Sequence, residues 1–385
     1  MLELAVRGNK WYWGWMVVLL GVIGAGFGLY LVQLKFGLGI TGMSRDVSWG
    51  FYIANFTYLV GVAAGGVMVV LPYYLHDYKA YGKITILGEF LAIASIVMCL
   101  LFILVDLGQP MRALNVLLYP TPNSVLFYDA IVLNGYLFLN LVIGWNVLEA
   151  ERNGVHYQSW LKPLIYISIP WAVSIHTVTA YLYCGLPGRH FWLTAVLAPR
   201  FLASAFAAGP ALLILLCLFI RRFTNFDPGR QQIQTLAKTV AYAICINVFF
   251  FLCEVFVAFY SQIPGHTTHL KYLFVGLHGH GALVPWMWGS MILMVIGIVL
   301  TVTPATRKNE TSLAIACIVI IMGTWIDKGL GMISGGFVPN PMHEVNEYIP
   351  TVPEIGITLG VYAIGALVLT VLYKMAVGVK EEVHG

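Results

Sequence analysis

Ten stretches of spanning length recur along the chain: about 12–36, 49–75, 84–106, 125–148, 163–183, 201–220, 236–261, 282–303, 311–336 and 355–377. A helix needs about 20 apolar residues to cross a hydrocarbon core of roughly 30 Å, and every stretch reaches that length. Strands of a membrane barrel are about half as long and alternate in polarity, which these do not. The pattern predicts an all-α integral membrane protein, a bundle of about ten transmembrane helices. Breakers separate the stretches: Pro110, Pro120 and Pro122; Pro187 and Pro199; Asp227-Pro228-Gly229; Pro339, Pro341, Pro350 and Pro353. Connectors stay at or below about twenty residues, so 1–385 reads as a single polytopic membrane domain. Trp11 to Leu34 is too long for a signal-peptide core and reads as the first span. Two GxxxG pairs, Gly24–Gly28 and Gly61–Gly65, are candidate helix-packing seams.

Composition agrees with this class. Hydrophobic residues make up 59% of the chain and charged residues only 10%, against roughly 25% charged in soluble domains. The net charge of +4 is dispersed, so no nucleic-acid tract is expected. Lys and Arg distribute unevenly between alternate connectors. One side holds Arg7, Lys10, Lys79, Lys83, Arg152, Lys162, Arg221, Arg222, Arg230, Lys238, Arg307, Lys308, Lys374 and Lys380; the other holds Lys35, Arg45, Arg112, Arg189, Arg200 and Lys271. The positive-inside rule then places both termini in the cytoplasm, in an inner membrane, with connectors near 37–48, 107–124, 184–200, 262–281 and 337–353 outward. The six cysteines are scattered without CxxC or CxxCH, so they read as small core residues, with no iron–sulfur cluster or c-type haem in this chain.

An ionisable group at bilayer depth is expensive and marks a functional candidate. Glu89, Asp106, Asp129, His176, Glu254, Asp327 and Lys328 qualify, with the amides Asn55, Asn134, Asn140 and Asn247. Asp129, Glu89 and Asn140 read as helix–helix hydrogen-bonding groups. Asp327 and Lys328 fit either internal pairing or a functional role. His176, mid-span after Pro170, reads either as a satisfied core histidine or as a group that takes and gives a proton without permanent charge. Glu254 sits in an aromatic run, and Asp106 ends the third span where the outer face begins. Together they suggest a proton-linked site in the outer half. The His278-Gly-His280 stretch has no cysteine or carboxylate near in sequence, so no metal site is expected. Haem b is disfavoured because His176 has no obvious in-span histidine partner.

Several of these segments resemble the NrfD/polysulfide-reductase family of membrane subunits. Trp49-Gly-Phe-Tyr-Ile-Ala-Asn55, running on to Gly61 and Gly65-Gly66, resembles the family's first signature helix. Asp106-Leu-Gly-Gln-Pro110-Met-Arg112, followed by Pro122 and Asp129, resembles the next. Ser174-Ile-His176-Thr-Val-Thr, with Ala198-Pro199-Arg200-Phe201, is similar to the longer ten-helix members, and Glu254 with Tyr260-Ser261 matches a further turn. The likeness covers about 45–376, leaving an extra first helix at about 12–36. Within the family it is strongest to the DsrP-type quinone-interacting subunits of DsrMKJOP complexes in sulfur-metabolising prokaryotes. One departure is Leu59, one turn after Asn55, where shorter members place a histidine.

The resemblance implies a subunit that binds menaquinone or menaquinol and exchanges electrons with an outward-facing, ferredoxin-like iron–sulfur subunit (DsrO-like). It further implies a multihaem cytochrome c (DsrJ-like) and DsrM- and DsrK-like subunits. Proton translocation is compatible with that role. Quinone chemistry couples two electrons to two protons, which assigns proton handling to His176, Asp106 and Glu254, and quinone contacts to Asn55, Tyr58, His176 and Asp106. Two rivals are a proton-linked secondary transporter, expected to show inverted repeats, and a structural anchor, which leaves the buried titratable groups unexplained.

Overall fold

The computed structural model describes residues 1–76 and 81–384; Lys79, counted above, lies outside the described residues. Among them, ten helices are long and apolar enough to cross a membrane, and they coincide with the ten stretches of the sequence. They are α1 (Lys10–Phe36), α2 (Phe51–Leu75), α3 (Gly82–Asp106), α4 (Val125–Arg152), α5 (Leu161–Cys184), α6 (Leu197–Phe223), α7 (Arg230–Tyr260), α8 (Val284–Val302), α9 (Glu310–Ser334) and α10 (Val352–His384). The chain is a multi-pass, all-α membrane protein. Ten crossings put both termini on one face, the terminal face, and Leu2–Val6 packs there against α10.

Helix α2 is the axis of the bundle, with 94% of its apolar window buried against 11% for α1. Its sequence explains this. Ala54, Gly61, Ala63, Ala64 and Gly65 leave little side chain on its flanks, so α3, α6 and α9 approach closely. A Cβ on Gly65 would lie 2.7 Å from the Gly209 Cα of α6, a distance no larger residue tolerates. Helix α1 packs mainly along α10, where Gly26 meets the Gly360 backbone in the same way. The expected Gly24–Gly28 seam is not used; both glycines face open space. Gly26 lies two residues on, about 200° around the helix, and it is the one turned toward α10.

Two local features place the polar residues. The last turns of α9, Ile326–Ser334, are π-helical, and they hold Asp327 and Lys328 inside the protein, each 4% exposed. Such i→i+5 turns break the α-helical register and recur at functional sites. Arg200, grouped above with the outward connector 184–200, belongs instead to the first turn of α6 and is buried. The connector ends at Val196, because Pro199 is compatible with a helix's first turn and starts the helix rather than delaying it.

On the opposite face, connectors fold back over the bundle. Trp192 is fully buried, donates from Nε1 to the Met332 carbonyl at 2.8 Å and stacks on Trp49. Tyr183 and Phe337 close around the same indoles. Arg189 lies over the Phe337 ring and donates to the Phe337 and Asp46 carbonyls. These aromatics form a cap above the polar core. Glu354, at the start of α10, accepts from Gly42 N, Thr351 N and Tyr348 Oη, which ties two connectors to that helix.

Candidate functional site

Beneath the aromatic cap, α5, α6, α7 and α9 bring five charged or titratable side chains together. Arg200 of α6 is the hub. Its Nη2 donates to both carboxylate oxygens of Asp327, at 2.7 and 2.8 Å, and its Nη1 pairs with Glu254 of α7. The guanidinium also lies 5.1 Å from the Phe251 ring. One residue along the π-turn, Lys328 Nζ contacts His176 Nε2 of α5 and donates to Ser204 Oγ at 3.2 Å. The Phe201 ring lies beside both Lys328 and His176. Gly61 of α2 makes room for this pair: a Cβ there would come within 3.0 Å of Lys328 Nζ.

The arrangement is a buried set of two basic side chains, two carboxylates and one imidazole. A buried ion pair repays the desolvation of its charges only with close geometry and satisfied hydrogen bonds. Asp327 meets that condition, since both its oxygens are held. Glu254 does not: Oε2 is held by Arg200, while Oε1 is buried with no hydrogen-bond partner. Glu254 lines a cleft of about 230 Å³ together with Phe191, Leu193, Thr194, Val257 and His266. A second hollow of about 270 Å³ adjoins it at Leu193 and Thr194 and runs between Tyr181, Cys184 and Ala198. A mostly apolar hollow with one unsatisfied carboxylate oxygen is chemically suited to a ligand with an apolar body and a hydroxyl or carbonyl tip.

The structure brings together only part of the sequence-derived set. His176 and Glu254 share the cluster through Lys328, Asp327 and Arg200. Asp106 closes α3 elsewhere, near Glu354 and Tyr52, where Tyr52 Oη donates to Gln33 and Gln33 donates to the Val105 carbonyl. Its Oδ1 is buried with no hydrogen-bond partner. Asn55 accepts from Trp325 Nε1 at 3.0 Å and Tyr362 Oη at 2.8 Å, and donates to the Phe51 carbonyl. It therefore ties α2 to α9 and α10. Tyr58 is buried one turn further, beside Thr324 and Tyr362. The hub, Arg200, had no role in the sequence reading; the signal was present in Pro199, which marks a helix's first turn and so puts Arg200 inside.

The connector between α7 and α8, on the face opposite the termini, carries histidines, of which His266 lines the cleft. His269, on the helix Pro264–Phe274, is buried with Nδ1 facing the Gly335 carbonyl at 3.3 Å. Burial pushes its pKa down to about 4, against 6.5 ordinarily, and it is neutral in the folded state near pH 7. Between about pH 6.5 and 4 the unfolded chain binds a proton that the folded chain does not. Stability from this group is therefore present above pH 6.5 and lost as the pH falls toward 4. His269→Gln is expected to remove roughly 5 °C of the Tm loss between pH 7 and 4. Thermal unfolding across that range checks it; parallel Tm profiles for wild type and variant would reject the assignment. His280, on a separate turn, pairs with Glu347 at 3.4 Å, a carboxylate far away in sequence that also accepts from Ala282 N.

Comparison with known proteins bears on what this geometry serves. The sequence profile of the family described as "Polysulphide reductase, NrfD" matches residues 39–338. A putative membrane subunit of dimethyl sulfoxide reductase from Halobacterium salinarum is 26% identical, covering 92% of this chain and 89% of its own length. A selenate reductase subunit from Mesobacillus selenatarsenatis is 23% identical, covering 96% and 94%. An Hdr-like menaquinol oxidoreductase integral membrane subunit from Archaeoglobus fulgidus is 24% identical, covering 63% and 60%. With the family profile spanning most of its length, the chain belongs to the NrfD polysulphide reductase family of membrane proteins.

Proposed function

We propose that this chain is the quinone-interacting membrane subunit of a respiratory redox complex. It exchanges electrons between menaquinone or menaquinol and an iron–sulfur subunit docked on the face opposite the termini. The observation that carries the reading is Glu254, a carboxylate with one unpaired oxygen, on the wall of the apolar cleft. Family membership and the menaquinol oxidoreductase name of one relative support it. A menaquinone, when bound, supplies two-electron chemistry tied to two protons. The chain's own residues would handle those protons and hold the ring. Glu254 Oε1 accepts a hydrogen bond, and then a proton, from a hydroxyl in the cleft. Arg200 stays protonated and fixes both carboxylates. With Arg200 and Lys328 charged, the two carboxylates balance them, so a proton taken up by Glu254 favours release of one from the Lys328–His176 pair.

The finer reading places the chain in sulfur- or sulfite-linked metabolism as a DsrP-like subunit. Its partners would be a ferredoxin-like iron–sulfur protein, a multihaem cytochrome c and further membrane and cytoplasmic subunits, with proton translocation coupled to turnover. The Lys/Arg asymmetry supports cytoplasmic termini in an inner membrane; moving Arg200 into the bundle only sharpens it. The test uses the assembled complex in sealed vesicles. Its iron–sulfur partner is poised by a membrane-impermeant redox dye, and a menaquinone analogue is added. Quinone-dependent turnover is expected only where the face opposite the termini meets the dye. A complete complex that turns over with its dye and leaves the quinone pool unchanged would overturn the function. Equal turnover in both vesicle orientations would overturn the sidedness.

A further inference from the structure

A hollow lies far from Glu254, on the terminal face. It measures about 460 Å³ and opens between the ends of α2, α3, α4 and α10. Its mouth is charged, with Lys83, Glu151, His156 and Lys380 around it; Lys380 Nζ pairs with Glu151 Oε1 at 2.8 Å. Two of the residues that line it, Glu89 and Tyr74, each carry a buried polar atom with no hydrogen-bond partner, Oε2 and the hydroxyl. Glu89 is 3% exposed, on the inner part of α3. Gly144 of α4 lies against it: a Cβ there would crowd the Phe90 ring at 2.9 Å and reach ordinary contact with Glu89 Oε2 at 3.5 Å. A packing role fails to explain two unsatisfied buried polar atoms on residues that line one hollow, because each is costly unless water or a ligand satisfies it.

The same face of α4 carries further polar groups. Asn140 and Tyr136 meet each other one and two turns above Gly144, and Tyr136 is within electrostatic reach of Glu89. Asp129, near the other end, accepts from Thr179 Oγ1 at 2.7 Å. Thr179 stands one turn from His176 on α5. From Gly144 to Asp129 is fifteen residues, about 22 Å of helix, most of a hydrocarbon core of roughly 30 Å. Between Tyr136 and Asp129, about 10 Å apart along the helix, an apolar side chain, Leu133, intervenes on this face.

We propose that Glu89 is a proton-exchange site open to the terminal face, linked by the polar face of α4 to the Lys328–His176 pair. The step is a proton transfer only. Water in the hollow gives a proton to the Glu89 carboxylate; the carboxylic acid then passes it to the Tyr136 hydroxyl, oriented by Asn140, as that hydroxyl releases its own proton to water, which carries it past Leu133 to the Asp129 carboxylate. The reverse sequence releases a proton to the same face. Groups facing Glu89 are Tyr74 from α2 and Tyr136 and Asn140 from α4, with Lys83 on its own helix and Glu151, His156 and Lys380 at the mouth. The destination of the proton rests on the quinone reading; the exchange at Glu89 does not.

The test is infrared difference spectroscopy on the protein in sealed proteoliposomes, with the pH changed on one side by an impermeant buffer. A carboxyl C=O band is expected to respond to pH at the terminal face, to ignore pH at the other face and to vanish in Glu89→Gln. A band that tracks only the opposite face, or no band lost in the variant, overturns the proposal. In the assembled complex, Glu89→Gln is expected to slow quinone-linked turnover about tenfold, while Glu89→Asp keeps most of it. Unchanged turnover in Glu89→Gln overturns the link to His176. A wild-type complex without quinone turnover instead rejects the quinone reading and leaves the infrared result standing.

Discussion

Glu254→Gln is expected to lower quinone-linked turnover of the assembled complex by about 10²–10⁴-fold, the range for losing a positioned proton acceptor. Gln keeps the shape and one hydrogen-bonding oxygen, so Arg200 retains a partner and the complex should still assemble. What it loses is the basic carboxylate, and Glu254 is the cluster residue that lines the cleft and has an unpaired oxygen. The pH dependence of turnover should flatten as well, since an amide does not titrate. The measurement is steady-state quinone turnover with assembly followed separately by co-purification of the partners. A variant that assembles and runs at the wild-type rate would place quinone chemistry elsewhere.

Arg200→Leu should act on the fold before it acts on function. It leaves Asp327 and Glu254 buried in the bundle without their cation, and breaking a buried pair by removing one partner costs about 3–5 kcal/mol. The isolated chain in detergent is expected to melt well below wild type or fail to accumulate. The triple change Arg200→Leu, Asp327→Leu, Glu254→Leu removes all three charges at once and should recover much of that loss, because apolar replacement of a whole buried ion set is often neutral. Thermal unfolding of both variants decides the matter. If the single variant is as stable as wild type, the three groups are not charged together in the folded protein.

The two variants separate what was legible in the chain from what was not. Spans are encoded in the length and charge-poverty of each stretch, properties local to about 20 residues. Glu254 and His176 were visible as costly residues for the same reason. Arg200 was not, since a charge a few residues from an apolar run reads as interfacial until the helix start is fixed, and Pro199 fixes it only once its place in the first turn is considered. The joint role of Asp327 and Lys328 was also hidden. Neighbours in an α-helix point about 100° apart, and it takes the π-turn to hold both inside, one toward Arg200 and the other toward His176. Glu89 was read as a packing group because its surroundings are apolar in sequence; the hollow beside it is assembled from four helices. The polar face of α4 was equally hidden: its rungs are spaced by seven, four and four residues, with Leu133 between the first two.

The pairing of α1 with α10 bears on how the protein is made. Helix α1 has 11% of its apolar window buried in the folded protein, and the helix that covers Gly26, α10, is synthesised after eight intervening spans. Through the insertion of eight further spans, α1 has lipid as its main neighbour, and lipid satisfies its apolar surface as well as protein does. The contact that joins the two ends of the sequence is thus a late event, of the long-range kind that is slow to form. Gly360 can arrive against Gly26 only after α10 is inserted, with Glu354 at its head ready to bind the waiting connectors.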